Sequence, residues 1–260
     1  CISKDADITV AFRVELPELF TVTSAWYESM HSAWHKAIKV LPNFSIVHKQ
    51  DWFISEEYQG RLSEGELSFL ARSSERHFNE RPYLKHSVYL FLTKSNRKRM
   101  AQQSNFSVLC RGRLVPKEIE DKEAVIKFME AVDQFERIIN DTLLLRLERM
   151  TEDELVGTAD RPGLLDRYFS LSEEGHASLE DIQLGSDLVR VGDHRLCLHT
   201  LSDTEDLPTR VSTDGRYERL STDRSDCRLS FASPVGLLLS CNHIYNQYPF
   251  IEDSDATPER

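Results

Sequence analysis

Val88-Tyr89-Leu90-Phe91-Leu92 is an unbroken run of five apolar residues, with Lys85-His86-Ser87 before it and Thr93-Lys94 after it. A short apolar run bounded by polar residues is what a strand covered on both faces requires, so the centre of a sheet is expected here. Upstream, Ile8, Val10, Phe12 and Val14 alternate with Thr9, Ala11, Arg13 and Glu15, the period-two pattern of a half-buried strand. Phe44 to Ile54 reads as a second strand, with Phe44, Ile46, Trp52 and Ile54 on one parity. Downstream, Leu143, Leu145 and Leu147 alternate with Arg146 and Glu148, a fourth.

Helical patterns lie between these strands. Thr23 or Ser24 can cap a helix on which Trp26, Met30, Ala33, Trp34, Ala37 and Leu41 recur at helical spacing, and Pro42 follows its end. A second helix is expected from about Glu64 to Phe78. The clearest runs from a cap at Asp121 to Asn140, with Val125, Phe128, Met129, Val132, Phe135, Ile138 and Ile139 as its apolar stripe. The order β-α-β-(α)-β-α-β predicts an α+β fold, a ferredoxin-like split βαβ module with one extra helix between its second and third strands.

Beyond residue 150 a smaller α+β extension is expected. Thr151 to Leu171 has a helical pattern broken at Arg161-Pro162-Gly163. Leu188 to Val191 and Arg195 to Leu198 flank Gly192-Asp193 as a hairpin, and Thr200 to Cys227 has the composition of a long polar loop. Short strands at Tyr217–Leu220, Arg228–Phe231 and about Ile244–Ile251 would complete it.

Charge supports that division. The 260 residues have a net charge of −11, but residues 1–150 hold 22 Lys+Arg against 21 Asp+Glu, whereas 151–260 hold 10 against 22, and those 10 are all Arg. Two modules, 1–150 and 151–260, are therefore expected. The composition, 40% hydrophobic and 29% charged, excludes collagenous and low-complexity classes. The five cysteines include no C-x-x-C pair, which argues against a disulfide framework or zinc ribbon and fits a reducing compartment. Lys4, Asp5, Asp7, Arg13, Glu15 and Glu18 interrupt the first twenty residues, where a secretory signal would be apolar. The longest uncharged stretch, Leu229 to Ile251, contains two prolines and too many polar groups to span a membrane.

Each group of residues that could carry chemistry also has a plainer role. G-x-x-x-x-G-K-[ST], G-x-G-x-x-G and G-x-S-x-G are all absent, so no phosphate cradle or nucleophile elbow is expected. His31 and His35 have the i, i+4 spacing of a metal pair, but no Glu follows His31, and solvated helix histidines explain them better. Asp193, His194, Cys197 and His199 cluster about the hairpin without the spacing of a known zinc finger. Cys241 and His243 pair a thiol with an imidazole, and Asp223-Arg224-Ser225-Asp226 reads as a loop held by its own hydrogen bonds. No catalytic, metal or cofactor residues are therefore assigned. One charge feature stands out. From Pro82 to Lys117 there is no Asp or Glu, while Lys85, Lys94, Arg97, Lys98, Arg99, Arg111, Arg113 and Lys117 are all basic. Lys94, Arg97, Lys98, Arg99, Arg111, Arg113 and Lys117 are the candidate contacts for nucleic acid or another anionic partner. Tyr89 and Phe91 occupy the strand on which RNA-recognition modules stack bases, but the glycines of that motif are missing.

Several segments resemble a known family. They are Asp7 to Phe20, Ala37 to Pro42, Ile46 to Phe53 (Ile-Val-His-Lys-Gln-Asp-Trp-Phe), His77 to Pro82, Gln134 to Asp141, Ser221 to Phe231 and Asn242 to Tyr248. Together, in matching order, they resemble the amino-terminal region of the TraG-family conjugation ATPases of Bacteroides-type conjugative transposons, which are similar to the VirB/TrbE-type ATPases of type IV secretion. The resemblance implies a docking and assembly domain at the cytoplasmic face of the inner membrane, non-catalytic by itself. Its implied partners are inner-membrane components of a conjugation channel and the protein's own ATPase domain, with DNA as an alternative and self-association in the full-length protein. ATP and Mg would belong only to a P-loop domain carboxy-terminal to this region.

Overall fold

The computed structural model describes residues 1, 7–17, 23–58, 68–95, 122–170, 182–185, 188–192, 194–198, 200 and 241–248. In chain order its elements are β1 (Ile8–Glu15), α1 (Ser24–Val40), β2 (Ser45–Glu56), α2 (Phe69–Asn79), β3 (Tyr83–Lys94), α3 (Lys122–Asn140), β4 (Arg146–Arg149), α4 (Glu152–Val156), β5 (Gly157–Thr158), β6 (Arg161–Pro162), α5 (Leu164–Ser170), β7 (Ile182–Leu184), β8 (Val189–Val191), β9 (His194–Leu196) and β10 (His243–Gln247).

Five strands form the main sheet, in the order β10-β2-β3-β1-β4. β1 lies between β3 and β4 and is antiparallel to both, with Phe12 opposite Leu90 on one side and Arg149 on the other. β3 and β4 therefore run the same way with β1 between them, and the connection carrying α3 skips a strand. The connection carrying α1 likewise joins β1 to β2 past β3. This is the split βαβ arrangement expected, and α2 is the extra helix between its second and third strands. β10 adds a fifth strand on the outer side of β2. A strand near 244–251 was expected to complete the carboxy-terminal extension; instead it joins the first sheet.

Period-two alternation explains how the sheet is covered. Phe12, Val14, Val47, Val88, Leu90, Leu92 and Leu147 form one buried cluster with Ala37 and Leu41 of the α1 segment and Phe128, Val132, Phe135 and Ile139 of α3. The apolar stripe of α3 was thus placed correctly, and Trp34 meets Phe135 edge-on with ring centroids 5.8 Å apart. Full burial of Phe12, Phe128 and Phe135 is worth about 1.5–3 kcal/mol each. Ala11, Trp52, Ile54 and Tyr89 are also buried but stand outside this cluster, on the opposite parity. The central strands are accordingly covered on both faces, as the run Val88–Leu92 predicts.

Local chemistry sets the element ends. Thr23 caps α1 by accepting the Trp26 N–H on its hydroxyl, and Ser68 caps α2 in the same way through the Ala71 N–H. The expected start of the second helix, residues 64–67, lies outside the described residues. β4 begins at Arg146, later than the Leu143–Leu147 alternation suggests. Leu143 sits at φ 55°, in the left-handed region, and the Thr142 hydroxyl donates to the Ile139 carbonyl while accepting the Leu144 N–H. Asn140 then takes the place of a neighbouring strand. Its side-chain oxygen accepts the Leu147 N–H at 2.7 Å and its amide donates to the Leu147 carbonyl at 3.2 Å. Arg149 fastens β4 to α3 through Glu136, at 2.7 Å, and Asp133, with its guanidinium over the Phe12 ring.

The chain divides into two compact units: residues 1–53, 85–152 and 244–260, and residues 54–84 and 153–243. The division read from charge, a single cut at 150, differs in two respects. Residues 54–84 group with the later part of the chain, and β10 returns to the main sheet of the first. In the second unit the break expected in Thr151–Leu171 is a small hairpin, β5 paired with β6, between α4 and α5. Gly157 holds φ 89°, and a Cβ on Gly163 would collide with the Gly157 and Leu155 backbone, so both positions require glycine. The expected hairpin about Gly192 is present as β8–β9, and β7 extends it to a three-stranded antiparallel sheet. The strands expected at 217–220 and 228–231, and the polar loop from 201, lie outside the described residues.

Candidate functional site

The polar side chains that the fold gathers most closely are on β2 and β3. Gln50, Asp51 and Trp52 are consecutive and all buried, so β2 is enclosed on both sides at this point. Alternation puts Asp51 on the parity of Val47 and His86 on that of Val88, hence on the face that bears the helices. The Asp51 carboxylate accepts Nε2 of His86 at 2.9 Å and Nζ of Lys49 at 2.5 Å. Burial pushes the Asp51 carboxyl up, but the hydrogen bonds from His86 and Lys49 outweigh it and hold the group below the ordinary carboxylate range. The His86 ring lies flat on Phe53, with centroids 4.4 Å apart and planes 3° from parallel. A carboxylate acts only as acceptor, so the proton of this bond is on Nε2 and Asp51 fixes the tautomer and angle of the ring.

The opposite parity carries an aromatic row. Trp52 meets Tyr89 edge-on at 5.5 Å, and its indole N–H donates to the Gln50 side chain at 3.0 Å. His48 packs beside Phe91 at 5.2 Å and stacks on Tyr248 at 4.0 Å. His48 Nε2 also bonds Asn246 of β10 at 3.0 Å. Burial depresses the basicity of His48, and the Asn246 bond offsets part of that. A neutral imidazole sandwiched in this way is a packing element that locks β10 to β2.

Chemically, the Asp51–His86 pair has the orientation a proton carrier or anion-binding group uses, with Lys49 beside it. Its simpler role is to satisfy a buried carboxylate in the middle of a sheet. Sequence reasoning missed it because the two partners are 35 residues apart. The one signal was an acid, Asp51, set within a strand pattern and followed by Trp-Phe-Ile.

Most of the residues singled out from sequence lie outside the described residues, and those that are described stand apart from the Asp51–His86 cluster. Of the basic candidates, Lys94 is at the end of β3, where its ammonium donates to the Ala124 carbonyl at 3.3 Å. Arg97, Lys98, Arg99, Arg111, Arg113 and Lys117 lie outside the described residues. His31 and His35 are exposed on α1. His243 Nδ1 bonds the Cys241 carbonyl at 2.7 Å, a contact to backbone and not to the thiol. Asp193, His199 and residues 223–226 lie outside the described residues. Among the described residues, no group of three or more His, Cys, Asp or Glu could hold a metal ion, and no helix is long and apolar enough to cross a membrane.

A family model described as a domain of unknown function from a B. theta gene description (DUF3875) matches residues 1–32, which carry β1 and the first half of α1. No curated protein matches the chain.

Proposed function

We propose that this chain is a docking and assembly module of a conjugative-transfer ATPase, non-catalytic by itself and held peripherally at the cytoplasmic face of the inner membrane by protein partners. The observation that carries the reading is the ordered resemblance across the chain. Its segments fall on the scaffold: Asp7–Phe20 includes β1, Ile46–Phe53 lies in β2, Gln134–Asp141 ends α3, and Asn242–Tyr248 contains β10. Agreement at strands that meet only after folding suits a shared architecture. The matched family model overlaps the first of these segments and is compatible with a Bacteroides source.

Removing residues 1–260 from the full-length ATPase should abolish transfer in a mating assay while leaving nucleotide hydrolysis by the remainder measurable. Crosslinking in conjugating cells should join this region to inner-membrane channel subunits. Normal transfer frequency without the region would overturn the proposal, as would ATP hydrolysis by this chain alone that mutations within it abolish.

A second reading, contact with nucleic acid, is favoured by the acid-free stretch Pro82 to Lys117 and its eight cations. It predicts DNA binding that falls steeply with salt and weakens when Arg97, Lys98 and Arg99 become Ala. Fluorescence anisotropy with labelled single- and double-stranded DNA decides it, since unchanged binding by that triple variant disposes of a DNA-tracking surface.

A further inference from the structure

His48 is half-buried on β2 and lies between two rings, Phe91 of β3 at 5.2 Å and Tyr248, just past β10, at 4.0 Å and 23° from parallel. Its Nε2 bonds Asn246 of β10 at 3.0 Å. A single imidazole therefore meets both Asn246 and Tyr248, and these residues all belong to the first unit. β10 is the outermost strand of its sheet and has β2 as its neighbour. A side chain whose charge changes near neutral pH thus stands at the seam between the two strands.

Around that ring the described residues place nothing to balance a positive charge. Alternation puts His48 on the face of Gln50 and Trp52, with Tyr89 and Phe91 of β3. The charged or titratable groups sharing this face on β2 and β3 are Tyr89, Glu56 at the far end of β2, and Tyr83 and Lys85 at the start of β3. Tyr248 is the one that touches the imidazole. Asp7, Arg13 and Glu15 of the β1 segment, and Arg146 and Glu148 of β4, share the face but stand beyond β3. Lys49, Asp51 and His86 are on the opposite parity, as are His243 and Tyr245 of β10. A proton added to His48 therefore charges a ring held in a neutral aromatic slot. Burial disfavours that charge, and the Asn246 bond opposes burial without overcoming it.

We propose that His48 makes β10 an acid-releasable strap: on gaining a proton the imidazole turns to water, Asn246 and Tyr248 lose their anchor, and the outer edge of β2 opens. The direction follows from linkage. The ring binds a proton less readily when strapped than when released, so acid favours release. That shift begins as pH falls below about 6.5, the ordinary histidine value, and levels off below the lower value of the strapped ring. The inference does not depend on the conjugation reading.

The test uses the whole chain and follows amide hydrogen exchange from about pH 7.5 to about pH 5, each rate corrected for its intrinsic pH dependence. Opening of β10 should rise by up to about tenfold per pH unit below about 6.5, the limit for one proton, while the buried amides of α3 stay protected. His48→Phe keeps a ring in the slot that cannot titrate, so β10 exchange should become independent of pH. His48→Gln should give the same flat profile should the bulkier ring disturb the fold. His243→Asn, at the head of β10, should retain the wild-type response. An NMR titration of the His48 ring in the wild type should place its midpoint below about 6.5. Four results would each overturn the inference. They are a midpoint at or above that value, a response that survives in both His48 variants, a rise shared equally by α3, and β10 exchange that is unchanged or slower in acid. The last would mean that the two rings welcome the imidazolium.

Discussion

Replacing Asp51 with Asn preserves the shape of the side chain and removes its charge at the centre of the polar cluster. The wild-type carboxylate is 8% exposed and accepts from both His86 and Lys49. Each hydrogen bond to a charged group contributes about 1.5–3 kcal/mol, and the asparagine amide cannot accept both donors as a carboxylate does. Lys49 is 37% exposed and can turn to water, so its share is discounted. The expected loss is about 2–4 kcal/mol at pH 7, read as a lowered urea midpoint by tryptophan fluorescence. The pH dependence follows from a folded-state pKa below the unfolded one. That contribution is complete above the ordinary aspartate value, about 3.9, and disappears as pH falls through the lower folded value. The gap between wild type and Asp51→Asn should therefore be full at pH 7, persist at pH 5, and close below about pH 4. A gap under about 0.5 kcal/mol at pH 7, the range of a neutral surface change, would refute the reasoning. So would a gap that widens on acidification.

Other positions make separate demands. Asn140→Ala leaves the Leu147 N–H and carbonyl without their side-chain partner and should cost about 1–3 kcal/mol in urea unfolding, with faster amide exchange at Leu147. Leu143→Gly relieves a left-handed conformation in a side chain that is 92% exposed; a gain of up to about 1 kcal/mol in the same assay is expected. Gly163→Ala forces a methyl into the Gly157 backbone, so limited proteolysis should cut between α4 and α5 faster than in wild type. Arg149→Met keeps the aliphatic cover on Phe12 but ends the contacts with Asp133 and Glu136. Because Arg149 is 36% exposed, its loss should be no more than about 1 kcal/mol in low salt and smaller in high salt.

The features legible in sequence were those governed by local periodicity. The α3 stripe, the alternation of β1 and the apolar run of β3 each depend on neighbours within a few residues, and each came out where expected. The split βαβ order followed because crossover connections allow few arrangements for that succession of elements. What failed to show depends on distant partners. A strand at about Ile244–Ile251 was expected and is present as β10, but its place in the main sheet, where Asn246 and Tyr248 meet His48, was not. Asp51 and His86 are individually unremarkable strand residues until pairing brings them together. β4 starts late for a reason that is local but not periodic, the turn built by Asn140, Thr142 and Leu143. The basic stretch was the clearest compositional signal, yet charge composition specifies no geometry.

β10 also explains how the sheet manages its edges. Without it β2, a twelve-residue strand, would present one long row of open backbone groups, the kind of edge that recruits other chains. At the far side β4 is only four residues long, and Arg149 and Arg146 place cations on it. The two edges are thus protected by different means, one short and charged, the other capped by a strand from the far end of the chain. That cap is fastened by side chains as well as backbone. Asn242 accepts the Ser55 N–H at 2.7 Å, Asn246 bonds His48, and Tyr248 stacks on the same ring. A five-residue strand with a sequence separation of 198 from its neighbour carries a large loop-closure cost, which backbone pairing of that length offsets poorly. The polar and aromatic anchors at Asn242, Asn246 and Tyr248, in β10 and on either side of it, add to that pairing.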